Sequence, residues 1–226
     1  MIKFDKVTKI YSPNIPVLQN ISMEINDGEF VSIIGKSGAG KTTLTRLILG
    51  LEEPTHGEVY FRNKNIRVAD QQEIQKIRRS IGGIYQDYKL LSAKTVYENV
   101  AYVMEVKGSS QGQIKREVPK ILELIGLQEK INNFPNELSG GEQQRLSVAR
   151  ALVVHPKLII ADEPTGNLDP YNTYEVISLL EKINKSGTAI ILLTHNREII
   201  NKLRKRVITL VGGRIIRDEA EGKFII

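Results

Sequence analysis

The chain has 226 residues, 41% of them hydrophobic and 26% charged, a composition typical of a globular protein with one large domain or two small ones. It contains no cysteine, so a disulfide framework, cysteine-ligated zinc and thiol catalysis are excluded. The net charge of +6 is modest and dispersed, and with only 6% aromatic residues it does not predict a nucleic-acid-binding surface.

The two ends of the chain predict antiparallel strands. Hydrophobic and polar residues alternate near the start, as expected of strands with one solvated face, at residues 2–7, 17–25 and 57–61. Near the other end, residues 207–211 and 214–217 flank Gly212 and Gly213, a pattern typical of a hairpin.

The middle of the chain predicts buried strands that alternate with amphipathic helices. Uninterrupted apolar runs, which suit a parallel sheet covered on both faces, occur at Phe30–Ile34, 158–161 and Ala189–Leu193. Apolar residues at helical spacing occur at residues 42–49, 114–125, 146–154 and 176–183. We therefore predict an α/β fold, with residues 87–155 as a helical subdomain inserted into a single domain of residues 1–226.

Neither a signal peptide nor a membrane span is predicted. The first residues, MIKFDKVTKI, lack the apolar core of a signal peptide. No apolar run approaches the length of about 18 residues that a membrane helix needs. We therefore expect the chain to be neither secreted by that route nor membrane-spanning by itself, and association with a membrane surface stays open.

A phosphate-binding loop is predicted between the first buried strand and the helix that follows it. The sequence GKSGAGKTT fits the pattern G-x-x-x-x-G-K-[ST], in which backbone N–H groups and the helix N-terminus face phosphate oxygens. Lys41 is expected to reach the β- and γ-phosphates, and the Thr42 hydroxyl to ligate Mg²⁺. The candidate binding residues are Gly35, Lys36, Ser37, Gly38, Ala39, Gly40, Lys41, Thr42 and Thr43.

A second candidate site lies where the apolar run at 158–161 ends in Asp162 and Glu163. In a protein with a phosphate-binding loop, the first acid holds the hydration shell of Mg²⁺, which is the role expected of Asp162. Glu163, one residue further, is expected to orient and polarise the attacking water. The alternative is a pair of acids that only meets solvent at the end of a strand.

A third motif, LSGGEQQR, starts at Leu138. Ser139 and Glu142 have the spacing of a capping box at the start of a helix, and the two glycines between them allow a close backbone approach. The motif therefore predicts either a second anion site or an ordinary helix cap.

Together these motifs resemble the ATP-binding-cassette (ABC) ATPases. LSGGEQQR is similar to the family signature, and Asp162-Glu163 to the second Walker motif with its catalytic glutamate. The other elements stand in the family's order, namely Gln86 of the Q-loop, Asp169 of the D-loop, the switch residue His195 and the adenine-stacking Tyr11. The resemblance covers almost the whole chain, and it implies a RecA-like P-loop NTPase core with an N-terminal antiparallel β subdomain and an inserted helical signature subdomain.

The resemblance also implies a mechanism that needs two chains. Such cassettes bind ATP with Mg²⁺ and dimerise head to tail in the ATP-bound state. Thr42, Gln86 and Asp162 would hold the metal, while Glu163 and His195 would act on the γ-phosphate. The signature residues of one chain would complete the site of the other in trans, and they are Ser139, Gly140, Gly141 and Glu142.

Within the family, the chain resembles the FtsE group of bacterial cell-division cassettes, through the segments QDYKLL, TVYENV and FPNE. Members of that group pair with the integral membrane protein FtsX at the cytoplasmic face of the cell membrane and regulate cell-wall hydrolysis. Lipoprotein-release and macrolide-export cassettes share the segment ADEPTGNLD and are the alternative.

Two hypotheses from other classes are weaker. A soluble cassette acting on nucleic acid would carry a long coiled-coil insertion or a second cassette. Here Ser139 follows Lys41 by only 98 positions, and the segment between them contains no sustained heptads. A binding module without hydrolysis is disfavoured because Glu163 and His195 are in place. No nucleic-acid partner is expected.

Overall fold

The computed structural model describes residues 1–11 and 14–225. The strands, in chain order, are β1 (Ile2–Tyr11), β2 (Ile15–Ile25), β3 (Phe30–Ile34), β4 (His56–Phe61), β5 (Lys64–Asn65), β6 (Ile81–Tyr85), β7 (Leu158–Asp162), β8 (Ala189–Leu193), β9 (Arg206–Val211) and β10 (Arg214–Glu219). The helices are α1 (Lys41–Ile48), α2 (Gln71–Arg79), α3 (Val96–Lys107), α4 (Gln111–Leu124), α5 (Gly140–Leu152), α6 (Pro170–Lys185) and α7 (Arg197–Leu203). They form two compact units, the first unit Met1–Arg78 with Gly187–Ile226 and the second unit Arg79–Ser186.

The first unit contains the antiparallel sheet that the alternating pattern predicts, with strand order β2-β1-β4-β5. Ile2 and Phe4 of β1 are buried, as alternation requires, but the next buried residue is Val7 rather than residue 6. A β-bulge explains this change, because Phe4 pairs with Met23 while Val7 pairs with Ile21. The bulge returns the apolar side chains to the core face.

The first unit also contains strands in the order β10-β9-β3-β8. β3 is parallel to both β8 and β9, and β10 returns antiparallel to β9 as the predicted hairpin. All residues of β3 and β8 are buried, which is why these segments are continuously apolar. The predicted bounds of both strands agree with the structure.

The second unit places β6 parallel to β7. The sequence pattern did not predict β6, because Gly82 and Gly83 interrupt its apolar residues. Gly82 is required here by packing: a Cβ atom on it would lie 2.8 Å from the carbonyl oxygen of Ala151 in α5. Gly82 therefore has two effects: it lets α5 lie directly on β6, and it removes the apolar pattern from which β6 could be predicted.

The helical block predicted at residues 87–155 contains α3, α4 and α5, and the described structure has no strand in that stretch. α3 and α4 begin with capping boxes, at Thr95 with Glu98 and at Ser110 with Gln113. α5 begins at Gly140, earlier than its apolar periodicity indicates, since its first turn belongs to the signature motif.

Candidate functional site

The phosphate-binding loop of the first unit connects β3 to α1, as the motif predicts. Gly40 caps α1 with a φ of 106°, a left-handed conformation that favours glycine, and a Cβ there would lie 2.7 Å from Leu18. No side chain caps α1 and its first turn has no acidic residue, so no carboxylate of this turn competes for the N–H groups at this end. Lys36, Ser37 and Gly38 of the loop are exposed, while Gly35 and Ala39 are buried.

Lys41 folds back over this loop. Its Nζ donates hydrogen bonds to the carbonyl oxygens of Gly35, at 2.6 Å, and of Lys36, at 3.3 Å. The ammonium group therefore lies inside the curve of the loop, where the motif places the phosphates. The adjacent Thr42 is exposed, whereas Thr43 is buried. Thr42 can thus offer its hydroxyl to a metal. The side chain of Thr43 lies inside and interacts with the Tyr11 hydroxyl, and its part in nucleotide binding stays a prediction.

Tyr11 ends β1 and is half-buried. Its hydroxyl donates a short hydrogen bond to Glu52, and the Lys9 ammonium lies 5.1 Å from the centre of its ring. Burial, followed by the hydrogen bond to Glu52, raises the pKa of Tyr11, so the phenol stays neutral. These contacts hold the ring in place. Stacking on adenine stays a prediction.

The structure brings His195 to the sheet edge where the phosphate-binding loop begins. β3 and β8 are parallel and pair Ile33 with Leu193, so both strands end at the same edge. The loop leaves from the end of β3, and His195 follows β8 by two residues. His195 is exposed there. Parallel pairing thus groups two motifs that are far apart in the sequence.

The second unit groups Gln86, Asp162 and Glu163 in the same way. β6 and β7 are parallel and pair Tyr85 with Asp162, so Gln86 and Glu163 each follow the end of neighbouring strands. Burial, and then the negative charge of Asp162, raises the pKa of Tyr85. Asp162 and Glu163 are both half-buried.

The backbone of Glu163 is strained. Its φ is 47°, a left-handed value that is uncommon for residues other than glycine. Such strain costs about 1–3 kcal/mol and is found most often at functional sites, where the surrounding structure enforces it. This observation supports Glu163 as a residue with a chemical role rather than a solvated acid.

The signature motif forms the capping box that its spacing predicts. The Ser139 Oγ accepts the Glu142 N–H at 3.3 Å, and the Glu142 carboxylate accepts the Ser139 N–H at 2.8 Å. Burial acts to raise the pKa of Glu142, but the bonds from Ser139 and the nearby Lys130 hold that pKa below its usual value. Ser139 and Gly140 are exposed and Gly141 is buried, so the start of α5 presents its serine to solvent. Whether this end binds an anion in trans stays a prediction.

The D-loop residue Asp169 caps α6. Its Oδ1 accepts the Asn172 N–H at 3.0 Å, and the hydrogen bonds from Asn172 lower the pKa of Asp169. The turn before it contains Asn167, whose side chain bonds to Gln86. Asn167 belongs to the segment that resembles the D-loop, but its contact with Gln86 is not visible in the sequence, because only the fold brings this turn to Gln86.

The donor atoms at the predicted metal positions suit Mg²⁺. They are the exposed hydroxyl of Thr42, the side-chain amide of exposed Gln86 and the half-buried carboxylate of Asp162. All three offer oxygen, the ligand type that Mg²⁺ prefers, and none is a soft ligand. When bound, Mg²⁺ would neutralise phosphate charge.

Within the described residues, no helix combines the length and the hydrophobicity that crossing a membrane requires.

Comparison with known proteins adds an independent line of evidence. Residues 18–166 match the ABC transporter family. The chain is 47% identical over 224 residues to the cell division ATP-binding protein FtsE of Streptococcus pneumoniae serotype 2 (strain D39), covering 99% of this chain and 97% of that protein. It is 46% identical over 224 residues to FtsE of Bacillus subtilis (strain 168), with coverages of 99% and 98%.

A solved structure has a similar fold. It is a dimeric, post-hydrolysis state of an ATP-binding cassette bound to ADP and phosphate. The TM-score is 0.87 and the sequence identity 36%, over 99% of this chain and 100% of that one.

Proposed function

Because this chain belongs to the ABC transporter family, we propose that it binds ATP with Mg²⁺ and hydrolyses it to ADP and phosphate. Its full-length similarity to the FtsE proteins makes it an ATPase subunit of the cell-division type. The observation that carries the proposal is the loop between β3 and α1, where Lys41 faces inward and the first turn of α1 has no side-chain cap. Such a loop is built to receive phosphate oxygens.

In this proposal each site residue has a defined task. Lys41 and the backbone N–H groups of the loop bind the β- and γ-phosphates, and Tyr11 stacks on adenine. Thr42, Gln86 and Asp162 hold Mg²⁺ directly or through water. Glu163 accepts a proton from the attacking water, and His195 orients the γ-phosphate.

We propose that hydrolysis requires a homodimer. The exposed Ser139 at the start of α5 belongs to a signature motif that, in our proposal, completes the nucleotide site of a second chain. The dimeric state of a cassette that is 36% identical supports this arrangement. A helix N-terminus suits the purpose because the partial positive charge of the helix dipole attracts the negative charge of the γ-phosphate.

We further propose that the chain acts at the cytoplasmic face of the bacterial membrane through an FtsX-like integral membrane partner, and that ATP-driven closure of the dimer is passed to this partner to regulate cell-wall hydrolysis. The similarity to FtsE proteins supports the choice of partner.

We propose that this partner docks at a cavity of about 190 Å³ in the second unit. Its lining includes the aromatic rings of Tyr85 and Tyr88, the aliphatic Val103 and the cations Lys89 and Arg150. Lys89 forms an ion pair with Asp87, which is not part of the lining, so Arg150 is the main cation for an acidic partner group. It lies beside the segment that leads from Gln86 into α3. A short amphipathic helix with an acidic side chain has the complementary shape and charge.

Calorimetry with purified chain, ATP and Mg²⁺ tests the nucleotide proposal. Lys41→Ala is expected to lose most of the affinity, at least about tenfold, because it removes the cation that faces the phosphates. Lys120→Ala, which removes an exposed lysine of α4, is the matched control and should bind like wild type. Wild-type affinity in Lys41→Ala would reject the assignment.

A further inference from the structure

The side chain of Gln86 lies against the turn at Gly166 and Asn167. Its Nε2 donates a hydrogen bond to the Asn167 Oδ1 at 3.2 Å, and the Asn167 Nδ2 donates one to the Gln86 carbonyl oxygen at 3.3 Å. A Cβ atom on Gly166 would lie only 2.9 Å from the Gln86 Nε2 and 3.0 Å from its Cδ. Two reciprocal hydrogen bonds with Asn167 therefore hold the Gln86 amide in the space left by the absence of a side chain on Gly166.

These contacts also determine whether the oxygen or the NH₂ group of the Gln86 side chain faces away from Asn167. The Gln86 backbone carbonyl can only accept a hydrogen bond, so the NH₂ group of Asn167 must face it. The Asn167 oxygen then faces the Gln86 side chain and requires a donor, which is the Gln86 NH₂ group. The Gln86 Oε1 is left without a hydrogen bond from the described residues. A hard cation binds an amide through this oxygen and not through the nitrogen.

We propose that Asn167 is a positioning residue that holds the Gln86 amide with its oxygen directed toward the Mg²⁺ of the bound nucleotide. This inference rests on the proposed function, in which Gln86 is a metal ligand. In this role Asn167 acts on Gln86 and not on the metal or on ATP. It acts in the way that outer hydrogen-bond partners orient metal ligands elsewhere in proteins.

Backbone hydrogen bonds stabilise the turn that contains Asn167. The Gly166 N–H donates to the Glu163 carbonyl at 3.1 Å, and the Leu168 N–H donates to the Thr165 carbonyl at 3.2 Å. The turn starts at the proposed water-activating residue and ends at Asp169, the cap of α6. One short segment therefore links Glu163 to the side chain of Gln86, so the two are positioned together.

The test is a Mg²⁺ titration of nucleotide affinity, measured by calorimetry with a non-hydrolysable imido analogue of ATP, so that it does not depend on turnover. Asn167→Ala is expected to raise the Mg²⁺ concentration for half-maximal effect about tenfold, the lower end of losses at such outer partners. Binding of the analogue without Mg²⁺ should not change. Asn136→Ala, which removes an exposed asparagine of the second unit, is the matched control.

A double substitution separates positioning from a direct or structural effect. If Asn167 acts only through Gln86, then Gln86→Ala combined with Asn167→Ala should show the Mg²⁺ dependence of Gln86→Ala alone. A further loss in the double variant, or an unchanged Mg²⁺ dependence in Asn167→Ala, would overturn the inference. If Asn167→Ala does not fold, Gly166→Ala replaces it, because its Cβ would displace the amide and should give the same shift.

The wild-type titration distinguishes this inference from the function on which it rests. If Mg²⁺ has no effect on the binding of the analogue by the wild-type chain, the proposed function fails and the inference fails with it. If wild type depends on Mg²⁺ and both Asn167→Ala and Gly166→Ala follow the same curve, only the role of Asn167 is rejected.

Discussion

The side chain of Asn99, in α3, forms hydrogen bonds with both the N–H and the carbonyl oxygen of Leu91. The Asn99 Oδ1 accepts the Leu91 N–H at 2.9 Å, and the Asn99 Nδ2 donates to the Leu91 carbonyl at 3.1 Å. The same Nδ2 donates to the carbonyls of Lys94 and Thr95, and the side chain is 0% exposed. One buried amide therefore fixes the loop between Gln86 and α3.

We expect Asn99→Ala to lower the free energy of unfolding by about 2–3 kcal/mol, because it leaves buried backbone groups without partners. Denaturant unfolding measures the loss. Asn132→Ala, at an exposed asparagine of the same unit, should change stability by less than about 0.5 kcal/mol. Equal stability of the two variants would show that the backbone groups of the loop find other hydrogen-bond partners in Asn99→Ala.

Glu163→Gln is expected to keep ATP binding and to lose turnover by at least about a hundredfold, since the amide preserves the shape of the side chain but cannot accept a proton. Phosphate release and calorimetry measure the two properties. With ATP present, the variant should accumulate as a dimer in light scattering. A variant that stays monomeric at high protein and ATP concentrations would argue against a closed dimer.

Ser139→Arg is expected to leave ATP binding intact and to block hydrolysis, because it places bulk and charge against the nucleotide of the facing chain. Mixing it with Lys41→Ala tests the action in trans: such heterodimers should contain at most one competent site. Normal hydrolysis by Ser139→Arg alone would mean that the signature serine serves only as the cap of α5.

Val103→Asp is expected to weaken co-purification with an FtsX-like partner about tenfold or more, since it puts a charge on the wall of the cavity beside α3. Basal ATPase activity of the isolated chain should remain. Val106→Asp, on the same helix but 60% exposed and outside the cavity, is the matched control. Unchanged co-purification of Val103→Asp would place the docking surface elsewhere.

Leu90 and Leu91, which lie in the loop that leads from Gln86 into α3, are both half-buried. A charge at either position therefore tests docking and packing together. Reduced partner binding accompanied by lower thermal stability would mark them as packing residues, and reduced binding alone would extend the docking surface to them.

The parts of the fold that the sequence predicted well are those in which one interaction dominates. β3 and β8 are buried on both faces, so hydrophobicity alone determines their bounds. β6 was missed because close packing against α5 selects glycine there, and glycine carries no strand signal. The bulge between Phe4 and Val7 was missed because local alternation does not show where an extra residue is inserted.

The candidate site was predictable where its chemistry is contained in a local motif. The loop around Lys41 and the capping box of Ser139 and Glu142 depend on neighbours a few residues away. The contact of Asn167 with Gln86 spans 81 residues and depends on the pairing of β6 with β7, and no local pattern contains that information.

The approach of Gly82 to the carbonyl of Ala151 has a mechanical consequence. At this one contact Gly82 contributes no side chain, so the backbone of β6 lies close to the backbone of α5. A displacement of α5 at Ala151 therefore reaches β6 through close-packed backbone, with little room for side-chain adjustment at this contact. This contact mechanically couples the helix that begins after the signature serine to the strand that ends just before Gln86.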